Sequence, residues 1–502
     1  MLRSSFLVPA LICIGVISLT ACGGGGGGGG ATATAATDFH ITGIFPPNGS
    51  QNFDPAGKVI VTFSDSLASL AEANENVVLF SKDTGEIVSS KITLTVGDQI
   101  ATMLPDSVLK NDTWYSLRVS GEIRSDASRT LGNDYLMHFR TAEGGGTEPP
   151  PPPPPGGGKL RLVKSMEIGR SSHVAVLLPN GRILVAGGFS SANSITDTAE
   201  IFDPVAEDFT RTQVNMVFAR GFHAGVALDS GNVFITGGVT GASFTETNQA
   251  EIYNISTRKF GAAGNMNSAR AFHTMTVLDD GRVLIAGGTV PGSSGSFSSR
   301  KAEIYDPSDG SYTALPDMSV YRASHTATLL PNGSVLLAGG NGTDKRGELF
   351  DPASDTFSLV AGEMQSARRG HTATHIQDGV VLLMGGGTRT ADLYVPSQDI
   401  FRSANSFPLY ARKEHTVNWT QSGRLLFTGG SYMSGNVLFF HLTTEYYEPR
   451  SGTFSPSQLL LDSPKTRHRA TELADGRILI TGGSNLDSTK PELREALLYE
   501  ED

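Results

Sequence analysis

A glycine pair recurs seven times along this chain, and its regularity limits what the chain can fold into. The pairs stand at Gly187/Gly188, Gly237/Gly238, Gly287/Gly288, Gly339/Gly340, Gly385/Gly386, Gly429/Gly430 and Gly482/Gly483. Successive pairs are 50, 50, 52, 46, 44 and 53 residues apart. Each pair ends the same local pattern. In the first copy, "RSSHVAVLLPNGRILVAGG" (170–188), two apolar runs flank an Asn-Gly dipeptide. This predicts two strands, a and b, joined by a tight turn. A variable loop leads to strand c, "AEIFDP" (199–204), and "DFTRTQVNM" (208–216) supplies strand d. A repeat near 50 residues with four short strands reads as an array of small antiparallel sheets that bury their faces against one another.

Composition agrees. The 502 residues include 59 Gly and 25 Pro, which suits many tight turns and an all-β chain. A net charge of −11 and a pI of about 5.5 argue against a general nucleic-acid partner. The two cysteines, Cys13 and Cys22, both lie near the N-terminus, so residues 159–502 have no disulfide and no thiol chemistry.

Strand c recurs as "AEIYN" (250–254), "AEIYDP" (302–307), "GELFDP" (347–352), "ADLYVP" (391–396), "TEYYEP" (444–449) and "ALLYE" (496–500). The last copy has no strand d after it. "KLRLVKSM" (159–166), ahead of the first "RSSH", aligns with strand d and fills that place. This pattern resembles the kelch repeats of the galactose oxidase-like superfamily over about 340 residues. The resemblance implies a seven-bladed kelch β-propeller closed by its own N-terminal strand. The family includes copper-dependent sugar oxidases that need a Tyr cross-linked to a Cys, and no Cys is present from 159 onward. That chemistry is therefore excluded in its known form. Other members isomerise sugars or act as binding platforms.

The N-terminus has its own logic. Arg3 precedes an apolar run (6–18) too short to span a membrane comfortably, and the run ends in "LTAC" (19–22). This resembles a bacterial lipoprotein signal (1–21) with Cys22 as the lipid anchor, and Gly23 after it favours the outer membrane, with the head facing the periplasm or the cell surface. A Gly-rich tether (22–37) follows. Residues 38–142 hold runs at 58–63, 76–80, 91–96, 113–119 and 135–141 that predict a β-sandwich. "PPNG" (46–49), "VTFSDSL" (61–67) and "FRT" (139–141) resemble bacterial Ig-like domains of surface proteins, a spacer or adhesion module. Seven prolines in the linker 143–158 predict a stiff polyproline spacer.

An Arg-x-x-His motif opens each repeat: Arg170/His173, Arg220/His223, Arg270/His273, Arg322/His325, Arg368/His371 and Arg412/His415, with Lys465/His468 in the seventh. Seven copies argue for architecture, since binding sites are usually asymmetric. Strand c carries Glu200, Glu251, Glu303, Glu348, Asp392 and Glu445, but Leu497 in the seventh. The repeat without the acid is the repeat without the arginine, which predicts that the two pair.

Function is expected where repeats depart from one another. The b–c loops vary most, and the long one of the sixth repeat carries Tyr432, Phe439, Phe440 and His441, candidate platforms for a carbohydrate or peptide. The same residues could instead extend a strand and pack. Four residues after the repeated His, apolar residues give way to His375, Trp419 and Glu472 in repeats five to seven. Meeting near the centre, these three could bind or catalyse. No metal site, cofactor or nucleophile motif is legible. The reading is a monomeric envelope protein, joined to the membrane through lipidated Cys22, that binds a glycan, a peptide or another envelope protein. The alternative is a sugar-active enzyme, isomerase- or lyase-like.

Overall fold

The structure, a computed structural model, describes residues 39–141 and 158–501 apart from short loop segments within them. The expected signal, the tether with Cys22 and the proline-rich linker lie outside the described residues. The chain divides into two compact units.

The first unit is a pair of four-stranded sheets. One runs Ile41–Phe45, Val59–Phe63, Ile100–Pro105, Ser90–Thr95, and the other Ser50–Phe53, Tyr135–Thr141, Trp114–Val119, Val77–Ser81. Alternation along the strands places Val59, Val61, Phe63, Leu117, Val119, Met137 and Phe139 in one shared core. All five anticipated runs are strands. Ile41–Phe45, Ser50–Phe53 and Ile100–Pro105 are additional strands, and Leu70–Asn76 is a short helix capped by the Ser69 side chain.

The second unit contains seven four-stranded antiparallel sheets. The first is Val174–Leu177 (a), Ile183–Ala186 (b), Ala199–Asp203 (c) and Asp208–Arg211 (d). In the seventh, Arg469–Glu472, Ile478–Thr481 and Ala496–Glu500 are completed by Lys159–Leu162, which pairs antiparallel with Ala496–Glu500. Strand b is buried at every residue in all seven sheets, which explains its unbroken apolar runs. Strand a is mostly half-buried. Four sheets carry an extra two-stranded hairpin between b and c, including Ser431–Ser434 with Val437–Phe440.

The repeated motif explains how the sheets hold together. Within a sheet, the buried arginine donates through Nη1 to the carbonyl of the first glycine of the pair, at 2.6–3.0 Å in the six sheets that have it. The same guanidinium meets the strand-c acid: Arg170–Glu200 at 2.8 Å, Arg220–Glu251 at 3.0 Å, Arg270–Glu303 at 2.7 Å, Arg322–Glu348 at 2.9 Å, Arg412–Glu445 at 2.6 Å, and Arg368–Asp392. Both partners are at most 1 % exposed in every pair. The acid also accepts the backbone N–H three residues before the arginine: Glu167, Val217, Asn267, Ser319, Gln365 and Leu409. It therefore ties the chain entering strand a to strand c. In the seventh sheet Lys465 pairs with Asp462 at 2.7 Å, and Leu497 is buried core.

Between sheets, the histidines act. His273, His325, His371 and His415 share hydrogen bonds through Nε2 with Thr236, Thr274, Thr326 and Thr372 of the preceding sheet, at 2.8–3.0 Å. His468 does so with Thr416 and Thr428. His223 donates to the Ala186 carbonyl, and His173 bonds Thr481 of the seventh sheet at 3.0 Å. The glycine pair makes room for this. A Cβ on Gly187 would come within 2.7 Å of the His223 ring, and Gly187 and Gly188 have φ of +67° and +96°.

Two expected outcomes follow from this packing. Replacing Glu251 with Gln removes the charge facing a buried guanidinium, at a cost of about 3–5 kcal/mol; the thermal midpoint should drop by several degrees, and an unchanged midpoint would contradict the pairing. Burial holds all seven histidines well below their ordinary pKa, His325 and His415 at about 3. Each Nδ1 is buried without a partner among the described residues, so a proton there would be an unsatisfied donor as well as a buried charge. The unfolded chain takes up these protons near pH 6.5 and the folded chain resists until about pH 3. Stability from this source is complete above about pH 6.5 and falls with acidification, by up to about 1.4 kcal/mol per pH unit per histidine. Calorimetry from pH 7.5 to 4.5 should show a steep fall in midpoint, where a flat profile would refute the neutral-histidine account.

Candidate functional site

The residue just before each repeated histidine lies in the left-handed region in all seven sheets. These are Ser172, Phe222, Phe272, Ser324, Gly370, Glu414 and Arg467, with φ between 53° and 66°. That conformation turns each N–H toward the carbonyl of its counterpart one sheet earlier. The bonds run from Phe222 to Ser172, Phe272 to Phe222, Ser324 to Phe272, Gly370 to Ser324, Glu414 to Gly370 and Arg467 to Glu414. Ser172 then donates to Arg467, and the cycle is complete at lengths of 2.7–3.2 Å.

The backbone of this ring is uniform and its side chains are not. Phe222 and Phe272 stack with centroids 4.1 Å apart, and Phe189, from the first b–c hairpin, lies 5.0 Å from Phe222. The Arg467 guanidinium sits over the Phe222 ring at 5.1 Å and pairs with Glu414 at 2.8 Å. Burial alone would raise the Glu414 carboxyl, but Arg467, Lys413 and Arg369 hold it below the usual carboxylate range. On the remaining sheets the ring residues are small: Ser172, Ser324 and Gly370. A Cβ on Gly370 would touch the side chains of Glu414 and Lys413, so these groups are contiguous at the rim. Glu492, which bridges to Ser484 beside this rim, is pushed up to about 7 by burial despite the attraction of Arg467. One face of the seven-sheet unit therefore has a ring that is aromatic on one side and charged on the other. The signal for it was in the sequence, as the position just before the constant His, which varies from Phe to Glu to Arg.

The residues singled out four places after the histidines lie elsewhere on strand a, and each has its own surroundings. His375 Nε2 donates to the Leu329 carbonyl of the preceding sheet at 2.6 Å. Trp419 packs against the core between the fifth and sixth sheets, and Glu472 is exposed. No hydrogen bond joins the three among the described residues. The sixth b–c loop does cluster. Tyr432 stacks on Phe439 (5.1 Å) and His441 (4.8 Å). His441 is buried, bonds the Ala411 carbonyl at 3.0 Å and has its pKa pushed down by burial, and Phe440 is buried too. Val437–Phe440 neither prolongs strand b nor strand c; it pairs with Ser431–Ser434 in a hairpin of its own.

Residues 35–141 match the bacterial Ig-like domain family, and residues 170–212 match the kelch motif. No curated protein sequence matches the chain. Among solved structures, the chain is similar to a fungal alcohol oxidase of the AA5 family in complex with copper, at 17 % identity and a TM-score of 0.55, over 68 % of this chain and 76 % of that one. Likeness at that identity is likeness of fold. Among the described residues no three His, Cys, Asp or Glu side chains come together around a common point. The seven repeat histidines are each committed to a bond between sheets. The chain thus carries a segment that matches the bacterial Ig-like domain family and, after it, sheets that carry a kelch motif and share the fold of the AA5 oxidase.

Proposed function

We propose that this protein is a lipid-anchored envelope binding protein, whose seven sheets close into a seven-bladed propeller that presents one face to a glycan, a peptide or another envelope protein. The observation that carries the reading is the contrast at the ring. Seven backbone positions repeat in conformation and hydrogen bonding, while their side chains are two aromatics, an ion pair and three small residues. Architecture requires the first and does not dictate the second, and half-exposed aromatics beside an ion pair are the usual makings of a recognition surface. Closure is supported by the pairing of Lys159–Leu162 with Ala496–Glu500 and by the two bonds, Ser172 to Arg467 and Gly483 to Arg170, that join the first sheet to the seventh. A sugar-active enzyme is the less favoured reading, since the residues nominated for acid–base work have separate surroundings.

The anchor is supported by the "LTAC" sequence and the glycine tether behind it. Several acyl chains on Cys22 would hold the protein to the membrane, at about 0.8 kcal/mol per buried methylene. Fatty-acid labelling of the expressed full chain should mark it, and Cys22→Ser should abolish both label and membrane retention. Label surviving in that variant would refute the anchor.

For binding, the full chain is screened against glycans and envelope peptides. A ligand held without turnover, and weakened at least tenfold by Phe222→Ala at unchanged thermal midpoint, is the expected result. Turnover of a sugar in the screen would favour the enzyme instead.

A further inference from the structure

The propeller gathers cations at the ring that the architecture does not neutralise. Each of the six motif arginines has its own carboxylate within the sheet. Arg369, next to Gly370 of the ring, has none: no hydrogen bond or ion pair engages it among the described residues, and its only charged influence is the distant pull of Glu414. Arg469, two residues beyond Arg467, is exposed to solvent and uses Nε on the His173 carbonyl at 2.7 Å. Lys413 stands beside Gly370 and Glu414 at the same rim. Arg469 is thus held against the first sheet, while three cations (Arg369, Lys413 and Arg467) share the surroundings of one ionised carboxylate, Glu414, and burial pushes Glu492 up to about 7. The whole chain carries −11, so this concentration of positive charge runs against its composition. Like charges held close in a confined, partly desolvated space repel, and an anion relieves them.

Resting on the binding reading above, we infer that the ring is the site of a carboxylated sugar, a uronate within an acidic glycan. The carboxylate meets Arg369 and Lys413, and the pyranose ring lies against the Phe222–Phe272 pair. The division of the rim supports a ligand with these two ends. An inorganic anion would use the cations and leave the aromatic pair idle, while a neutral sugar would use the aromatics and leave the cations unpaired.

The test uses the full chain, solubilised in detergent, in calorimetric titration with three probes: an oligogalacturonate, the neutral oligogalactoside of equal length, and a polyglutamate peptide. Binding of the oligogalacturonate alone is expected, with at least a tenfold loss in Arg369→Gln and in Phe222→Ala. Arg450→Gln, on an exposed turn of the same unit, should bind as the unaltered chain does. Thermal midpoints of the three variants report folding. Equal binding of the neutral oligomer, equal binding of polyglutamate, or oligogalacturonate binding indifferent to either ring substitution overturns the inference, and so does no binding at all. The wider reading fails separately, only if the glycan and peptide screen also yields no ligand sensitive to Phe222→Ala.

Discussion

A guanidinium group with no access to water needs a carboxylate, and in six of seven sheets that need organises everything around it. The motif arginine is planar and always charged, so it can serve the glycine carbonyl and the strand-c acid at once. The acid's second oxygen takes the backbone N–H of the incoming chain. Three segments distant in sequence are fixed by one buried pair. The seventh sheet shows what happens without the fork. Lysine offers a point charge, cannot span the same partners, and turns to Asp462 three residues away, while Leu497 takes the vacated acid position. Arginine and acid were lost together because either one alone would have been a buried, unpaired charge.

Repetition within sheets would be of little use without a rule for joining them. Here the rule is steric as much as polar. The first glycine of each pair is small because the next sheet's histidine ring lies against it, and the second glycine donates its N–H to the next arginine's carbonyl in most sheets. The motif is therefore one interlocking unit, with its parts on neighbouring sheets. The ring residues just before the histidines continue it. Holding Phe, Glu or Arg in the left-handed region costs of order 1 kcal/mol each relative to glycine. That cost is met six times by residues other than glycine, and only Gly370 takes the cheap solution. A backbone constraint that leaves the side chain free to vary is where a symmetric fold can carry an asymmetric function.

Several parts of this arrangement were legible in the one-dimensional pattern. The glycine spacing, the Asn-Gly turns and the apolar runs predicted the sheets. The joint absence of arginine and acid in the seventh repeat predicted their pairing, which the structure shows atom by atom. The candidate site was less legible. His375, Trp419 and Glu472 looked like a convergent set because they align, but His375 bonds the preceding sheet, Trp419 packs between two sheets and Glu472 is exposed. In the sixth loop, Tyr432, Phe439 and His441 were recognisable by type, while their stacking with one another required the hairpin. The ring position was visible as variation just before a constant histidine. Its importance was not, since nothing in the sequence says that seven residues about 50 apart hydrogen-bond in a cycle.

The sequence by itself therefore determined the repeat, the four-strand unit, the strand borrowed from residues 159–162 and the partners of the buried charges. All of these depend on local periodicity or on charge balance within one repeat. Only the tertiary structure decided which side chains face one another: Phe222 against Phe272, Arg467 over Phe222, Arg369 without a partner. The first two relations join different sheets. Distances across a ring of seven are set by how the sheets pack, which no single repeat records.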